Sequence, residues 1–136
     1  MLMSTSSAPA PATILLIDDQ AEVVDGLTTM LAAAGYDCHS ASVDHTATDL
    51  AARVHPDLIL CDLNLRGISG VELCDQLKQL DGLADVPTMF LSGFQTPDII
   101  RRAHAWHVRR LLEPHVILKL IEQALAENAG RQLAHV

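Results

Sequence analysis

The sequence predicts an α/β fold: one doubly wound, five-stranded parallel sheet with helices on both faces. Three observations carry that prediction. Short apolar runs alternate with segments of helical periodicity all along the chain. One run, Leu58-Ile59-Leu60-Cys61, is apolar at every position, the habit of a central parallel strand covered on both faces. Four of the runs close on acids or a hydroxyl, namely Asp18-Asp19, Asp62, Ser92 and Glu113, and the carboxyl ends of parallel strands are where such sheets bind ligands.

The 136 residues are expected to form one domain with a sizeable core, either standing alone or as a piece of a longer protein. Residues 1–12, rich in Ser, Ala and Pro, read as a disordered tail, residues 13–128 as the domain, and 129–136 as a tail or a continuation of the last helix. A net charge of −8 argues against a nucleic-acid surface, which needs clustered Lys and Arg. The tail lacks the pattern of a signal peptide and no stretch is long and apolar enough to span a membrane, so a cytoplasmic protein without membrane contact is expected. Cys38, Cys61 and Cys74 are odd in number and sit within apolar patterns, as reduced core residues do. No paired Cys or Cys/His spacing points to zinc, and His104 with His107 lacks a third ligand.

Taken in order, Thr13–Ile17 is the first strand, ended by Asp18-Asp19-Gln20. Val23, Val24, Leu27, Met30, Leu31 and Ala34 then recur at helical spacing, with Gly35 as the stop. Tyr36–Ala41 is a weaker strand, placed toward an edge. Ser42 is a plausible cap for a helix through Val54, with Ala47, Leu50, Ala51 and Val54 inward. The strand ending at Asp62 follows, then a loop marked by Gly67 and Gly70. Ser69 caps a helix carrying Val71, Leu73, Cys74, Leu77 and Leu80.

Val86–Leu91 is the fourth strand, closed by Ser92-Gly93. Thr96-Pro97-Asp98 starts a helix with Ile99, Ile100, Ala103 and Trp106 on its apolar side. Arg109–Glu113 is expected as the fifth strand. After Pro114, apolar pairs repeat every four residues to about Asn128, with Leu118 off the stripe.

Three carboxylates gathered at one sheet edge repel one another, and a hard divalent cation with oxygen ligands is the usual remedy. Mg²⁺ keeps several waters and so leaves room for a phosphoryl oxygen. Beside it a carboxylate can attack phosphorus, and Ser92 can donate a hydrogen bond to the transferred group. The plainer alternative is that Asp18 and Asp19 cap the first helix and Asp62 is a loop acid.

The chain resembles the receiver domains of response regulators from two-component phosphorelays. The pieces that carry the resemblance are Leu15-Leu16-Ile17-Asp18-Asp19, Pro56 to Asp62, Gly70 eight residues after Asp62, Pro87 to Gly93 with Ser92, and Pro114 after the fifth strand. It implies a flavodoxin-like strand order of 2-1-3-4-5. It further implies that Asp62 accepts a phosphoryl group from a sensor histidine kinase or phosphotransfer protein. Mg²⁺, or Mn²⁺, would be held by Asp62, directly by Asp19, mainly through water by Asp18, and by the backbone carbonyl of Asn64. Ser92 matches the switch hydroxyl that signals to the face of the fourth helix, fifth strand and fifth helix.

The chain departs from that family at three positions. Glu113 stands where the family has a lysine, a two-unit change beside the site; opposite charges about 4 Å apart are worth about 4 kcal/mol at an effective dielectric near 20. Arg110 replaces a common aromatic, and Arg66 a common proline. Either arginine is a candidate replacement for the missing cation. The expected function is therefore a single-domain phosphoryl-accepting switch rather than an enzyme. The alternative is a degenerate receiver that binds partners without phosphorylation. Candidate partners are the kinase or phosphotransfer protein, a downstream effector, and a second copy meeting through the switch face. Trp106, Leu118, Arg101-Arg102 and Arg109-Arg110 are candidate contacts. A dehalogenase-type phosphatase needs a second Asp where Asn64 stands, and no Gly-x-Gly-x-x-Gly follows the first strand.

Overall fold

A computed structural model describes residues 11–42, 45–63, 65–92, 106–109 and 114–134, with the backbone alone at 45, 92, 106–109, 114 and 129–134. The elements are β1 (Thr13–Ile17), α1 (Ala21–Ala33), β2 (Asp37–Ala41), α2 (His45–Val54) and β3 (Leu58–Asp62). They continue with α3 (Gly70–Leu77), β4 (Thr88–Ser92), β5 (Trp106–Arg109) and α4 (Pro114–Ala134).

The strands pair in parallel in the order β2-β1-β3-β4, with β5 alongside β4. Ile17 lies opposite Cys61, and Asp62 opposite Leu91, so β1, β3 and β4 all end at one edge. At the other edge Thr13 and Asp57 clamp each other. The Thr13 amide donates to the Asp57 carboxylate at 2.7 Å, and the Asp57 amide donates to the Thr13 carbonyl at 2.7 Å.

All five residues of β3 are buried, as its unbroken apolar run requires. Strand alternation splits the core into two layers. Leu15, Ile17, Ile59, Cys61 and Phe90 pack with Ala47, Ala51, Val71, Cys74 and Leu77 from α2 and α3. Ile14, Leu16, Leu58, Leu60, Met89 and Leu91 pack with Leu31 of α1 and Ile117, Ile121 and Ala124 of α4. Burying each large aliphatic side chain contributes about 1.5–3 kcal/mol, which is why the chain settles as helices on both faces of the sheet.

The helix ends follow local chemistry. Gly35, at φ +95°, lets its own amide reach the Ala32 carbonyl (3.0 Å) and the Tyr36 amide reach that of Leu31 (3.0 Å), closing α1. The Ser69 hydroxyl accepts the Glu72 amide at 3.1 Å and caps α3, as expected from the sequence.

The structure differs from the sequence reading toward the chain's end. The fifth strand is described over Trp106–Arg109 and so starts three residues before the expected Arg109, which puts Trp106 in a strand rather than in the preceding helix; residues 110–113 lie outside the described residues. Trp106-His107-Val108-Arg109 alternates apolar and polar residues at the strand period, and Trp106 also fits the helical spacing from Ile99, so periodicity alone misassigns it. The helix expected from Thr96 lies outside the described residues. β4 starts at Thr88 and includes Ser92, two residues later than Val86 and one beyond Leu91. Leu118 is half-buried and packs in part against the core layer of α1 and α4. α2 is described from His45, after two residues outside the description, so Ser42 is not seen as its cap.

Candidate functional site

β1 and β3 run side by side, so the residues just past Ile17 and at the end of β3 arrive together. One oxygen from each of Asp18, Asp19 and Asp62 lies within 4.8 Å of the others. In an octahedral Mg²⁺ site with metal–oxygen bonds near 2.1 Å, neighbouring ligands stand about 3 Å apart and opposite ones about 4.2 Å, so the three oxygens lie close enough for side-chain rotation to bring them onto one ion. Asp18 and Asp62 are 2% and 1% exposed, and the Asp19 side chain 15%. Water therefore screens their mutual repulsion poorly, and the donor set is all oxygen.

Each acid is held by its own loop or strand. The Gln20 amide donates to Asp18 Oδ1 at 2.9 Å, a turn closed two residues ahead. Gln20 itself makes no side-chain cap on α1, and the Asp18 bond reaches the amide of this N-cap residue, so Asp18 also steadies the entry to the helix. The Arg66 amide donates to Asp19 Oδ2 at 3.0 Å, and Arg66 Nε stands 3.9 Å from the same oxygen. The rest of the Arg66 side chain faces solvent, 92% exposed.

Asp62 is positioned through its backbone. The Leu63 amide donates to the Leu91 carbonyl at 3.0 Å, and the Gly70 amide donates to the Leu63 carbonyl at 2.9 Å, which returns the loop against the strand end. A side chain at Gly70 would overlap the Asp62 carbonyl oxygen. The Cys61 thiol donates to that same carbonyl at 3.4 Å. Its hydrogen bond with Cys74 raises the Cys61 thiol far above the usual range, followed by burial and by the charges of Cys74, Asp62 and Asp18. It therefore stays protonated and keeps its donor. All three cysteines are free, as expected.

Ser92 closes β4 one residue beyond the Asp62–Leu91 pairing, and its backbone partner in β5 is Arg109. Asn64, Glu113 and Arg110 lie outside the described residues. Two features of the site escaped the sequence reading. The Arg66 amide as a ligand of Asp19 has no signal in a side-chain pattern beyond the absence of proline at 66. The close approach at Gly70 was visible only as a glycine at a particular spacing.

The chain matches the family model described as response regulator receiver domain over residues 14–126. It is 31% identical to the nitrate/nitrite response regulator protein NarL of Escherichia coli over 120 residues, which covers 85% of this chain and 56% of that protein. It is 38% identical over 81 residues to the phosphate regulon transcriptional regulatory protein PhoB of Pseudomonas aeruginosa, covering 60% of this chain and 35% of PhoB. The chain thus spans about a third to just over half of these relatives. Among solved structures, chemotaxis protein CheY4 of Vibrio cholerae superposes with a TM-score of 0.79 at 21% identity, covering 85% of this chain and 99% of CheY4. A putative response regulator from Chloroflexus aurantiacus gives 0.77 at 27%, covering 85% and 98%. Among the described residues no helix is long and apolar enough to cross a membrane. With the family model matching residues 14–126 and an acidic cluster at the carboxyl edge of its parallel sheet, this chain belongs to the response regulator receiver domain family of two-component signalling.

Proposed function

We propose that Asp62 accepts a phosphoryl group from a sensor histidine kinase or phosphotransfer protein, and that the charged state is passed on through a protein-binding face. The observation that carries this is the convergence of Asp18, Asp19 and Asp62 within 4.8 Å at the edge where the strands end. Asp18, Asp19 and Asp62, with the Asn64 carbonyl, are the proposed holders of Mg²⁺ or Mn²⁺. A bound divalent ion neutralises phosphoryl oxygens and lets an anionic nucleophile approach phosphorus.

In the transfer, one Asp62 carboxylate oxygen forms a bond to phosphorus as the donor's phosphorus–nitrogen bond breaks. The nitrogen keeps the electron pair and takes a proton from water, leaving an acyl phosphate on Asp62. The Gly70 and Leu63 contacts fix the backbone of Asp62, so its carboxylate needs little reorganisation before attack. Ser92, at the end of β4 in the next strand, is the proposed hydroxyl donor to the phosphoryl oxygens. Signalling to an effector, or to a second copy, through the last helix and β5 completes the reading, as does a cytoplasmic site of action.

Intact-protein mass spectrometry after incubation with Mg²⁺ and acetyl phosphate tests this proposal. Wild type is expected to gain one phosphoryl group and Asp62→Asn none. An unmodified wild type that still binds Mg²⁺ would leave the phosphorylation-independent binding module as the function.

A further inference from the structure

We propose that Arg66 is the cation that receives the phosphoryl group at the mouth of the pocket, in place of a strand-end lysine. This rests on the reading of Asp62 as phosphoryl acceptor. Three carboxylates and one divalent ion leave the pocket net negative, so an incoming phosphoryl anion is repelled unless a further positive group meets it. Glu113 adds no such group.

Arg66 meets the requirement by its anchorage. The hydrogen bond its backbone amide donates to Asp19 Oδ2, at 3.0 Å, fixes the backbone of the arginine on the rim of the cluster. Its Nε stands 3.9 Å from that same oxygen while the side chain projects into solvent. A metal ion that draws on the charge of Asp19 weakens the 3.9 Å contact of the guanidinium, while the carboxylate's remaining lone pairs can still accept the amide that keeps Arg66 on the rim. Its planar fork of donors then suits two phosphoryl oxygens at once. Because the anchor is the main-chain N–H, it survives any substitution at 66 except proline, and a change of side chain removes the cation alone.

The same arrangement gives the proposal a second signature. Arg66 now competes with a metal ion for Asp19, so removing its charge tightens metal binding while slowing transfer. A residue of merely structural importance would weaken both.

The experiment follows adduct formation by mass spectrometry, with Mg²⁺ and acetyl phosphate, in wild type, Arg66→Gln, Arg66→Lys and Arg109→Gln. Mg²⁺ affinity of each is measured by calorimetry. Arg109 is included because its backbone lies opposite Ser92. Arg66→Gln is expected to react about tenfold more slowly and to bind Mg²⁺ about two- to fivefold more tightly. Arg66→Lys recovers part of the rate. Three results overturn the proposal: an Arg66→Gln rate equal to wild type, a loss of rate in Arg109→Gln alone, or a parallel loss of rate and Mg²⁺ affinity in Arg66→Gln. An unreactive wild type instead rejects the acceptor reading, and the role of Arg66 falls with it.

Discussion

The first residue of α3, Gly70, lies so close to Asp62 that a Cβ would overlap the Asp62 carbonyl oxygen and stand 3.0 Å from its carbonyl carbon and 3.1 Å from Leu63 Cα. The neighbours are backbone in the buried central strand and have no room to give. The start of α3 and the end of β3 are therefore a single rigid corner, and the carboxylate of Asp62 projects from it.

Gly70→Ala is expected to destabilise the protein by about 1–3 kcal/mol, since forcing a methyl against fixed backbone outweighs the ~1 kcal/mol gained from helix propensity. Urea unfolding reads the loss. Weaker Mg²⁺ binding in the same variant, seen by calorimetry, would show that the shift reaches Asp62.

The acidic cluster should trade stability for binding. In metal-free protein, Asp62→Asn relieves repulsion at a 1%-exposed site and is expected to raise stability by about 1 kcal/mol or more. Mg²⁺ at a hundred times its dissociation constant should stabilise wild type by about 2.7 kcal/mol and Asp62→Asn by less. Thermal melts with and without Mg²⁺ test both signs; equal metal response in the two proteins would count against Asp62 as a ligand.

Arg66→Pro should behave unlike Arg66→Gln. Proline lacks the N–H that reaches Asp19 and also restricts Leu65, so a loss of about 1.5 kcal/mol is expected, together with looser metal binding. Denaturant midpoints and Mg²⁺ titrations of the two variants separate the backbone donor from the guanidinium.

Alkali should unfold the protein partly through Cys61. Its folded-state value lies above the ordinary 9.0, so its contribution is complete below pH 9. Above that pH the thiol ionises in the unfolded chain but not in the folded one, and stability falls by about 1.4 kcal/mol per pH unit for one such thiol. Cys38 and Tyr36 shift in the same direction, with burial the leading cause in each. Cys61→Ala should flatten the fall between pH 9 and 10.5 in equilibrium denaturation, and an unchanged slope would refute the assignment.

Much of this protein was legible from residue order alone. The unbroken run Leu58–Cys61 could only be a buried strand, Gly35 and Ser69 marked helix ends by their own backbone chemistry, and Asp18, Asp19 and Asp62 fell at strand ends, where a parallel sheet must bring them to one edge. These are local or period-based constraints, and the alternation of strand and helix converts them into topology. Tertiary structure alone decided where the fifth strand lies, because Trp106 satisfies helix and strand spacing equally and only pairing with β4 selects between them. It also decided that Arg66 reaches Asp19 through a main-chain N–H, and that Gly70 abuts Asp62. Every residue but proline carries that N–H, and contact between distant backbones leaves no mark in a pattern of side chains.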